Sequence, residues 1–146
     1  MATAIQKRAT NHHLSIHSGS TVQEAIERMK STGEEAIIVF EIGRVFGLLT
    51  EHDIFEKVFA KGLDPASTSI RSISTATPVI APESIAVEEA LYTLHEEKCN
   101  HLVLVDGEEN VVGIVSLNDL LEVEVEKLNS DKKDLTMYIM ADSLGG

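Results

Sequence analysis

Residues 111–119, Val-Val-Gly-Ile-Val-Ser-Leu-Asn-Asp, decide the fold because residues 45–53, Val-Phe-Gly-Leu-Leu-Thr-Glu-His-Asp, repeat their plan. Each stretch has a glycine, two aliphatic residues, a hydroxyl residue, two variable residues and an aspartate. Gly47 and Gly113 are 66 residues apart, and the hydroxyl residues and the aspartates keep the same spacing. A spacing kept at three positions indicates an internal duplication.

Each copy is predicted to be a strand that turns directly into a helix. Thr50 or Ser116 stands at the N-cap, and Asp53 or Asp119 stands three residues later, where a capping box has its acidic or amide residue. Taken alone, one copy is equally well explained as a helix cap. The functional alternative is that the helix tip binds a phosphate while the aspartate accepts hydrogen bonds from a ribose diol, which favours a nucleotide.

The segments around the first copy predict strand, helix and hairpin. Leu14 and Ile16 alternate with polar residues as in a short strand, and residues 1–13 are expected to be a loose lead-in. Thr21 caps a helix that Gly33 ends. Residues 36–40 form an aliphatic strand buried on both faces, and a tight turn leads to the strand before Thr50.

The second half repeats this order at an offset of 65 residues, which becomes 66 after a longer hairpin turn at residues 106–110. We therefore predict a first repeat at 1–66, a second at 67–128 and a C-terminal tail at 129–146. A unit of about 60 residues is marginal alone, so the halves are expected to share a core. The apolar tail is expected to fold back or to meet another chain.

Composition narrows the function classes. A net charge of -12 disfavours a nucleic-acid backbone or an anionic membrane as a partner. Without an apolar run of membrane-spanning length or a signal-peptide pattern, the chain is expected to be cytoplasmic. The single cysteine, Cys99, excludes an intrachain disulfide and is expected to be a buried, inert thiol.

The two repeated motifs, together with residues 100–106, Asn-His-Leu-Val-Leu-Val-Asp, resemble a tandem pair of cystathionine-β-synthase (CBS) domains, a Bateman module. The resemblance covers roughly residues 10–127. It implies an α+β fold of two βαββα repeats related by a pseudo-twofold axis, with sheets packed face to face. A helical C-terminal tail is expected after the second repeat. The resemblance also implies an adenosine nucleotide, AMP first and ADP or ATP next, bound between the repeats by a regulatory protein that is not an enzyme.

The resemblance also assigns the site residues. Asp53 and Asp119 would hold ribose hydroxyls, and Thr50 and Ser116 would contact ribose or phosphate. The lining of the Asp119 cleft would include Ile114 and residues near Leu14. The lining of the Asp53 cleft would comprise Leu48, Thr75, Val79 and Ile80.

Charge is expected to distinguish the two clefts. We assign Asn100 and His101 of the second half to the Asp119 cleft, and Glu34 and Glu35 of the first half to the Asp53 cleft. Two carboxylates repel a phosphate by about 1 kcal/mol per pair at 4 Å in water. The Asp119 cleft is therefore predicted to take a phosphorylated adenosine, and the Asp53 cleft to be empty or to take an uncharged or cationic adenosyl compound.

Other functional interpretations of the sequence have weaker support. His12, His13 and His17 could form a metal site, but spacing alone supplies no converging partners, so no metal and no cofactor are expected. His52 is expected to face solvent. Two function classes stay open: a ligand sensor that signals to an unknown effector protein, and a ligand-free dimerisation or assembly module. S-adenosylmethionine is the alternative ligand, and a homodimer is the default state.

Overall fold

The computed structural model describes residues 5–6, 15–74 and 78–145, with side chains as far as Lys133. The first half contains β1 (Ser15–His17), α1 (Val22–Thr32), β2 (Ala36–Glu41), β3 (Arg44–Thr50) and α2 (Glu51–Ile54), which continues as a π-helix at Phe55–Phe59. A 3-10 turn at Ile70–Ser72 lies in the connection. The second half contains β4 (Ile80–Pro82), α3 (Val87–Glu97), β5 (His101–Val105), β6 (Val111–Ser116) and α4 (Leu117–Gly145).

The two halves have the same topology, which confirms the predicted α+β duplication. In each half the first strand pairs in parallel with the second, and the second pairs antiparallel with the third. The pairing ends at matching places, with Ala36 opposite Thr50 and His101 opposite Ser116. Each hydroxyl residue therefore lies at the end of a sheet, next to the start of the strand that precedes it.

Local signals in the sequence account for the ends of α1 and the first hairpin. The Thr21 side chain accepts a hydrogen bond from the Glu24 backbone N–H, and Gly33 ends the helix in the left-handed conformation with a φ of 75°. Ile42 and Gly43 both have positive φ values, as a tight hairpin turn requires. In the second half, Lys98 takes the left-handed position that Gly33 holds in the first, with a φ of 53°.

Three groups of buried side chains form the core. One lies between the first sheet and its helices, and one lies between the second sheet and its helices. The third joins the sheets, because it contains Ala36, Ile38 and Leu48 from the first half and Val103 and Ile114 from the second. The sheets therefore pack face to face, as predicted. Residues 36–39 of β2 and 102–104 of β5 are all aliphatic and buried, because these central strands are covered on both sides.

Both ends of the described chain extend the second half. The expected loose lead-in is wrong at Ile5, which is fully buried in the core of the second half because an isoleucine gains more from apolar contacts than from solvent. Helix α4 runs without a break to Gly145, so the predicted helical tail continues the helix that begins after Ser116. None of the described helices is both long and apolar enough to cross a bilayer.

Candidate functional site

The tip of α2 is a closed capping box. Thr50 Oγ1 accepts a hydrogen bond from the Asp53 backbone N–H at 3.2 Å. Asp53 Oδ2 accepts hydrogen bonds from the Thr50 backbone N–H and from Thr50 Oγ1, both at 3.1 Å. Lys57 Nζ lies 3.1 Å from the other oxygen, Asp53 Oδ1. Asp53 is only 7% exposed, so both of its oxygens are occupied within the fold.

The tip of α4 has the same cap with fewer partners. Ser116 Oγ accepts a hydrogen bond from the Asp119 backbone N–H at 3.1 Å, and Asp119 Oδ2 accepts one from the Ser116 backbone N–H at 2.9 Å. Among the described residues, no hydrogen bond or ion pair reaches Asp119 Oδ1. The residue at the position of Lys57 is Val123, which is buried. Asp119 is half-buried, so its Oδ1 is more available to a ligand than either carboxylate oxygen of Asp53.

Helix-tip amides contribute less to these sites than the sequence suggests. The Glu51 N–H donates to the Glu35 carbonyl at 3.1 Å, and the Leu117 N–H donates to the Asn100 carbonyl at 2.8 Å. The third amide of each helix is bound by the capping hydroxyl. In the described part of the chain, each first turn therefore keeps one amide for a ligand, that of its second residue.

The larger cavity, of about 670 Å³, lies beside Asp53 and falls within the usual size range for small-molecule sites. We call it the Asp53 cleft. Its first wall carries Leu48, Thr50, Glu51, His52 and Asp53 from the first half, with Glu35 beside them. Its second wall comes from the other half: Pro78, Val79, Glu97, Lys98, Cys99, Asn100, His101, Ser116, Leu117 and Asn118.

A smaller cavity of about 220 Å³ lies beside Asp119, and we call it the Asp119 cleft. Its described wall from the second half contains His101, Ile114, Ser116, Asn118 and Asp119. The first half supplies Gly33, Glu34, Glu35 and Ala36. The two clefts adjoin, since Glu35, His101, Ser116 and Asn118 line both.

The expected division of charge between the clefts is wrong for Glu34 and Asn100, whereas Glu35 and His101 line the clefts to which they were assigned and also the neighbouring one. Glu34 lines the Asp119 cleft, Glu35 lines both, and Asn100 lines the Asp53 cleft. The cause is the packing of the halves, because each cleft is closed by the loop before the central strand of the opposite half. The loop at residues 98–101 thus faces the Asp53 motif, and the loop at residues 33–36 faces the Asp119 motif.

His101 lies at the junction of the clefts and is half-buried. Burial lowers the pKa of its imidazole below the usual value, because desolvation disfavours the charged ring. The carboxylates of Glu35, Asp119, Asp53 and Glu51 act in the opposite direction. The lowered pKa favours the neutral ring at pH 7, with four carboxylates positioned to stabilise its protonated form.

The remaining sequence-predicted residues divide into three groups. Val79 lines the Asp53 cleft as assigned, whereas Ile80 is half exposed and is absent from the described lining of either cleft. Leu14 and Thr75 lie outside the described residues. Burial raises the pKa of the Cys99 thiol, which lies 3.8 Å from the His101 carbonyl oxygen.

The histidines are not gathered into a metal site where the structure describes them. His52 is exposed and lies 3.2 Å from Glu56. His17 Nδ1 accepts a hydrogen bond from the Gly19 N–H, while His12 and His13 lie outside the described residues. Within the described ranges, no three His, Cys, Asp or Glu side chains are grouped to hold a metal ion.

Two lysines beside the Asp53 motif, Lys57 and Lys98, were not predicted from the sequence. The spacing of Lys57 from Asp53 is four residues, which is the helical spacing of an ion pair and could have revealed it. Lys98 gave no such signal, because its place in the cleft depends on the packing of the two halves.

Comparison with known sequences identifies the family of this chain. The model of the CBS domain matches the chain twice, at residues 7–60 and 70–126. The chain is 30% identical over 118 residues to the CBS domain-containing protein YhcV of Bacillus subtilis, covering 81% of this chain and 83% of YhcV. It is 38% identical over 98 residues to the meiotically up-regulated gene 70 protein of Schizosaccharomyces pombe, covering 67% of this chain but only 13% of that protein. An uncharacterised protein of Methanopyrus kandleri is 30% identical over 111 residues, which is 57% of its length and 73% of this chain.

Solved structures share the fold. A protein of Burkholderia ambifaria with CBS domains superposes with a TM-score of 0.78 at 24% identity, covering 84% of this chain and 91% of its own. An uncharacterised protein of Pyrococcus horikoshii gives a TM-score of 0.74 at 28% identity, covering 82% of this chain and 90% of its own. The hexameric CBS-CP12 protein of bloom-forming cyanobacteria gives 0.76 at 24% identity, covering 92% of this chain and 83% of its own.

Proposed function

The chain belongs to the CBS-domain family as a tandem pair, and on that premise we propose that it binds an adenosine nucleotide in the Asp53 cleft and regulates a partner protein. The observation that carries the proposal is the composition of this cleft. A hydroxyl and aspartate motif from one half faces Lys98, Asn100 and His101 from the other, across a cavity of ligand size.

The lining of the Asp53 cleft offers suitable groups for the base, the ribose and the phosphate of a nucleotide. Leu48 and Val79 offer aliphatic surface for a flat base. Thr50 and Asp53 lie where a ribose would be held, and a carboxylate oxygen can accept a diol hydrogen bond in addition to its present partners. The Lys98 ammonium and the Asn100 amide supply donors for a phosphate, and a protonated His101 would supply a third.

The charge of the cleft favours AMP over ADP and ATP. Glu35, Glu51 and Glu97 line the same cavity as the cationic loop. Each further phosphate adds negative charge close to these carboxylates, with a cost of about 1 kcal/mol per pair at 4 Å in water. We infer that a monophosphate is the best compromise between the loop and the surrounding acids.

The regulatory step follows from which elements the ligand would touch. A nucleotide in the Asp53 cleft would contact both halves, so its binding would favour one arrangement of the halves over others. The effector that responds to this change is a separate protein of unknown identity. The role we propose is regulatory and not catalytic, and the Thr50 hydroxyl, which donates to the Asp53 carboxylate, is already engaged in the helix cap.

Exposed apolar side chains support association with a second copy of this chain. Phe55 and Phe59 are exposed on the π-helical continuation of α2, and Leu121, Val125 and Leu128 are exposed on α4. Side chains spaced three or four residues apart on a helix share a face. We propose that these faces form a homodimer, which sedimentation equilibrium on the wild type and Val125→Asp would test. A wild-type monomer would refute the dimer.

A thermal-shift and calorimetric series with AMP, ADP, ATP, adenosine and S-adenosylmethionine tests the ligand. A ligand at 100 times its dissociation constant stabilises by about 2.7 kcal/mol, so a specific binder is readily detected. We expect AMP to give the largest shift. The acidic Asp119 cleft favours S-adenosylmethionine as the alternative, and a larger shift with that cation would transfer the proposal to it.

The exposed helix faces favour a second candidate function, a ligand-free assembly module. It predicts a dimer whose thermal stability none of these adenosyl compounds changes. The same series therefore separates the two functions.

A further inference from the structure

Lys57 forms a contact that the repeat motif does not require. Its Nζ lies 3.1 Å from Asp53 Oδ1 and donates a hydrogen bond to the Ile73 carbonyl oxygen at 3.1 Å. Ile73 is buried at the end of the 3-10 turn in the connection between the halves. The lysine therefore ties the helix that bears Asp53 to the connection that leads toward Pro78 and Val79, on the opposite wall of the Asp53 cleft.

The ion pair affects a ligand in two ways. It offsets the negative charge of Asp53 inside the cleft, which reduces repulsion of an anion. It also occupies Asp53 Oδ1, while Thr50 occupies Oδ2, so a sugar diol must share an oxygen with a cation. A phosphate thus benefits from Lys57, whereas a ribose alone does not.

The second repeat provides an internal reference for this contact. Val123 stands where Lys57 stands in the first repeat, and Asp119 Oδ1 has no hydrogen-bond or ion-pair partner among the described residues. Among the described residues, the same motif therefore occurs once with a carboxylate paired to a lysine and once with a carboxylate that no cation contacts.

We propose that Lys57 is a specificity-determining residue of the Asp53 cleft, which selects a phosphorylated nucleoside over the corresponding uncharged nucleoside. This inference rests on the proposed function of the cleft. Lys57 acts through Asp53, by holding its charge and one of its oxygens, and does not line the cavity itself.

The experiment compares the affinities of AMP and adenosine for wild type, Lys57→Met, Lys57→Arg and Lys61→Met by calorimetry. Lys57→Met keeps a long apolar stem but removes the charge, so the binding preference for AMP over adenosine should fall roughly five- to tenfold. Adenosine itself should bind as well as before or more tightly, because Asp53 Oδ1 is released. Lys57→Arg should keep the wild-type preference. Lys61, exposed in the turn after the π-helix, is the matched control for the loss of one positive charge.

The outcomes separate the inference from the function on which it rests. A preference that is unchanged in Lys57→Met, or that falls equally in Lys61→Met, overturns the inference alone. Equal weakening of AMP and adenosine also overturns it, since that result assigns Lys57 a structural role. Circular dichroism and urea unfolding verify that each variant is folded, and Lys57→Gln replaces the methionine variant if it is not. Wild-type protein that binds neither ligand overturns the proposed function and this inference with it.

Discussion

The loop at residues 33–36 and the loop at residues 98–101 occupy equivalent places in the two repeats but carry opposite chemistry. The first reads Gly-Glu-Glu-Ala and the second reads Lys-Cys-Asn-His. Each loop closes the cleft of the other half, so the acidic loop lies against Asp119 and the loop with Lys98 lies against Asp53. The comparison teaches that duplication preserves the backbone of a paired site while its charge can diverge independently in each copy.

Making the loop at residues 98–101 as acidic as the loop at residues 33–36 should have the largest effect on AMP affinity. The double variant Lys98→Glu with Asn100→Glu changes the charge facing the Asp53 cleft by three units. At about 1 kcal/mol per charge pair at 4 Å in water, AMP affinity should fall by about 3 kcal/mol, roughly a hundredfold. Isothermal titration calorimetry measures the change.

The control for this variant is Lys61→Glu, which reverses an exposed charge away from both described linings and should leave AMP affinity within about twofold. Unchanged affinity in the double variant would show that the loop at 98–101 does not meet the phosphate. If Glu34→Gln instead tightens AMP binding strongly, the nucleotide lies in the Asp119 cleft.

The second contrast concerns the aspartates as parts of the fold. Asp53→Ala removes a carboxylate that is buried, accepts two hydrogen bonds from Thr50 and pairs with Lys57. Asp119→Ala removes one capping hydrogen bond from a half-buried position. We expect losses of about 2 kcal/mol for Asp53→Ala and about 1 kcal/mol for Asp119→Ala in urea unfolding monitored by circular dichroism. Equal losses would mean that neither the Thr50 hydroxyl nor Lys57 adds to the stability of the first cap.

Protonation of His101 provides a smaller and directional test. Its pKa is lowered by burial, so the unfolded state binds more protons than the folded state between the lowered value and 6.5. This contribution to stability is fully present above 6.5 and is lost as the pH falls toward the folded pKa. A phosphate would favour the charged ring, so AMP affinity should increase as the pH falls from 7.5 to 6.5.

His101→Gln is the matched variant for both pH effects. Its unfolding free energy and its AMP affinity should depend less on pH over the same interval than those of the wild type. Urea titrations and calorimetry at several pH values measure the two slopes. Slopes identical to those of the wild type would assign the pH dependence to other groups.

Much of the fold could be predicted because it depends on local signals. The N-cap at Thr21, the capping box at Thr50, the helix end at Gly33 and the hairpin at Ile42 are each encoded within four residues, and the structure confirms them. Of the capping box predicted at Thr21, the structure shows the hydrogen bond from the Glu24 N–H to the threonine side chain. The allocation of Glu34 and Asn100 to the clefts could not be predicted in this way. It depends on how two sheets pack across the third core group, which is a property of the pair and leaves no pattern in either repeat.

The smallest expected effect separates stability from binding at the same backbone position. Gly33 and Lys98 both end their helices in the left-handed conformation, which costs a residue with a side chain about 1–2 kcal/mol and glycine much less. Lys98→Gly should therefore raise the unfolding free energy by about 0.5–1 kcal/mol, after the entropic cost of glycine, while AMP affinity falls severalfold. The reciprocal control, Gly33→Lys, should lower stability and leave AMP binding in the Asp53 cleft nearly unchanged. A Lys98→Gly variant that gains stability and keeps full AMP affinity would show that Lys98 does not contribute to phosphate binding. The difference in phosphate binding between the two loops would then depend on Asn100 and His101 alone.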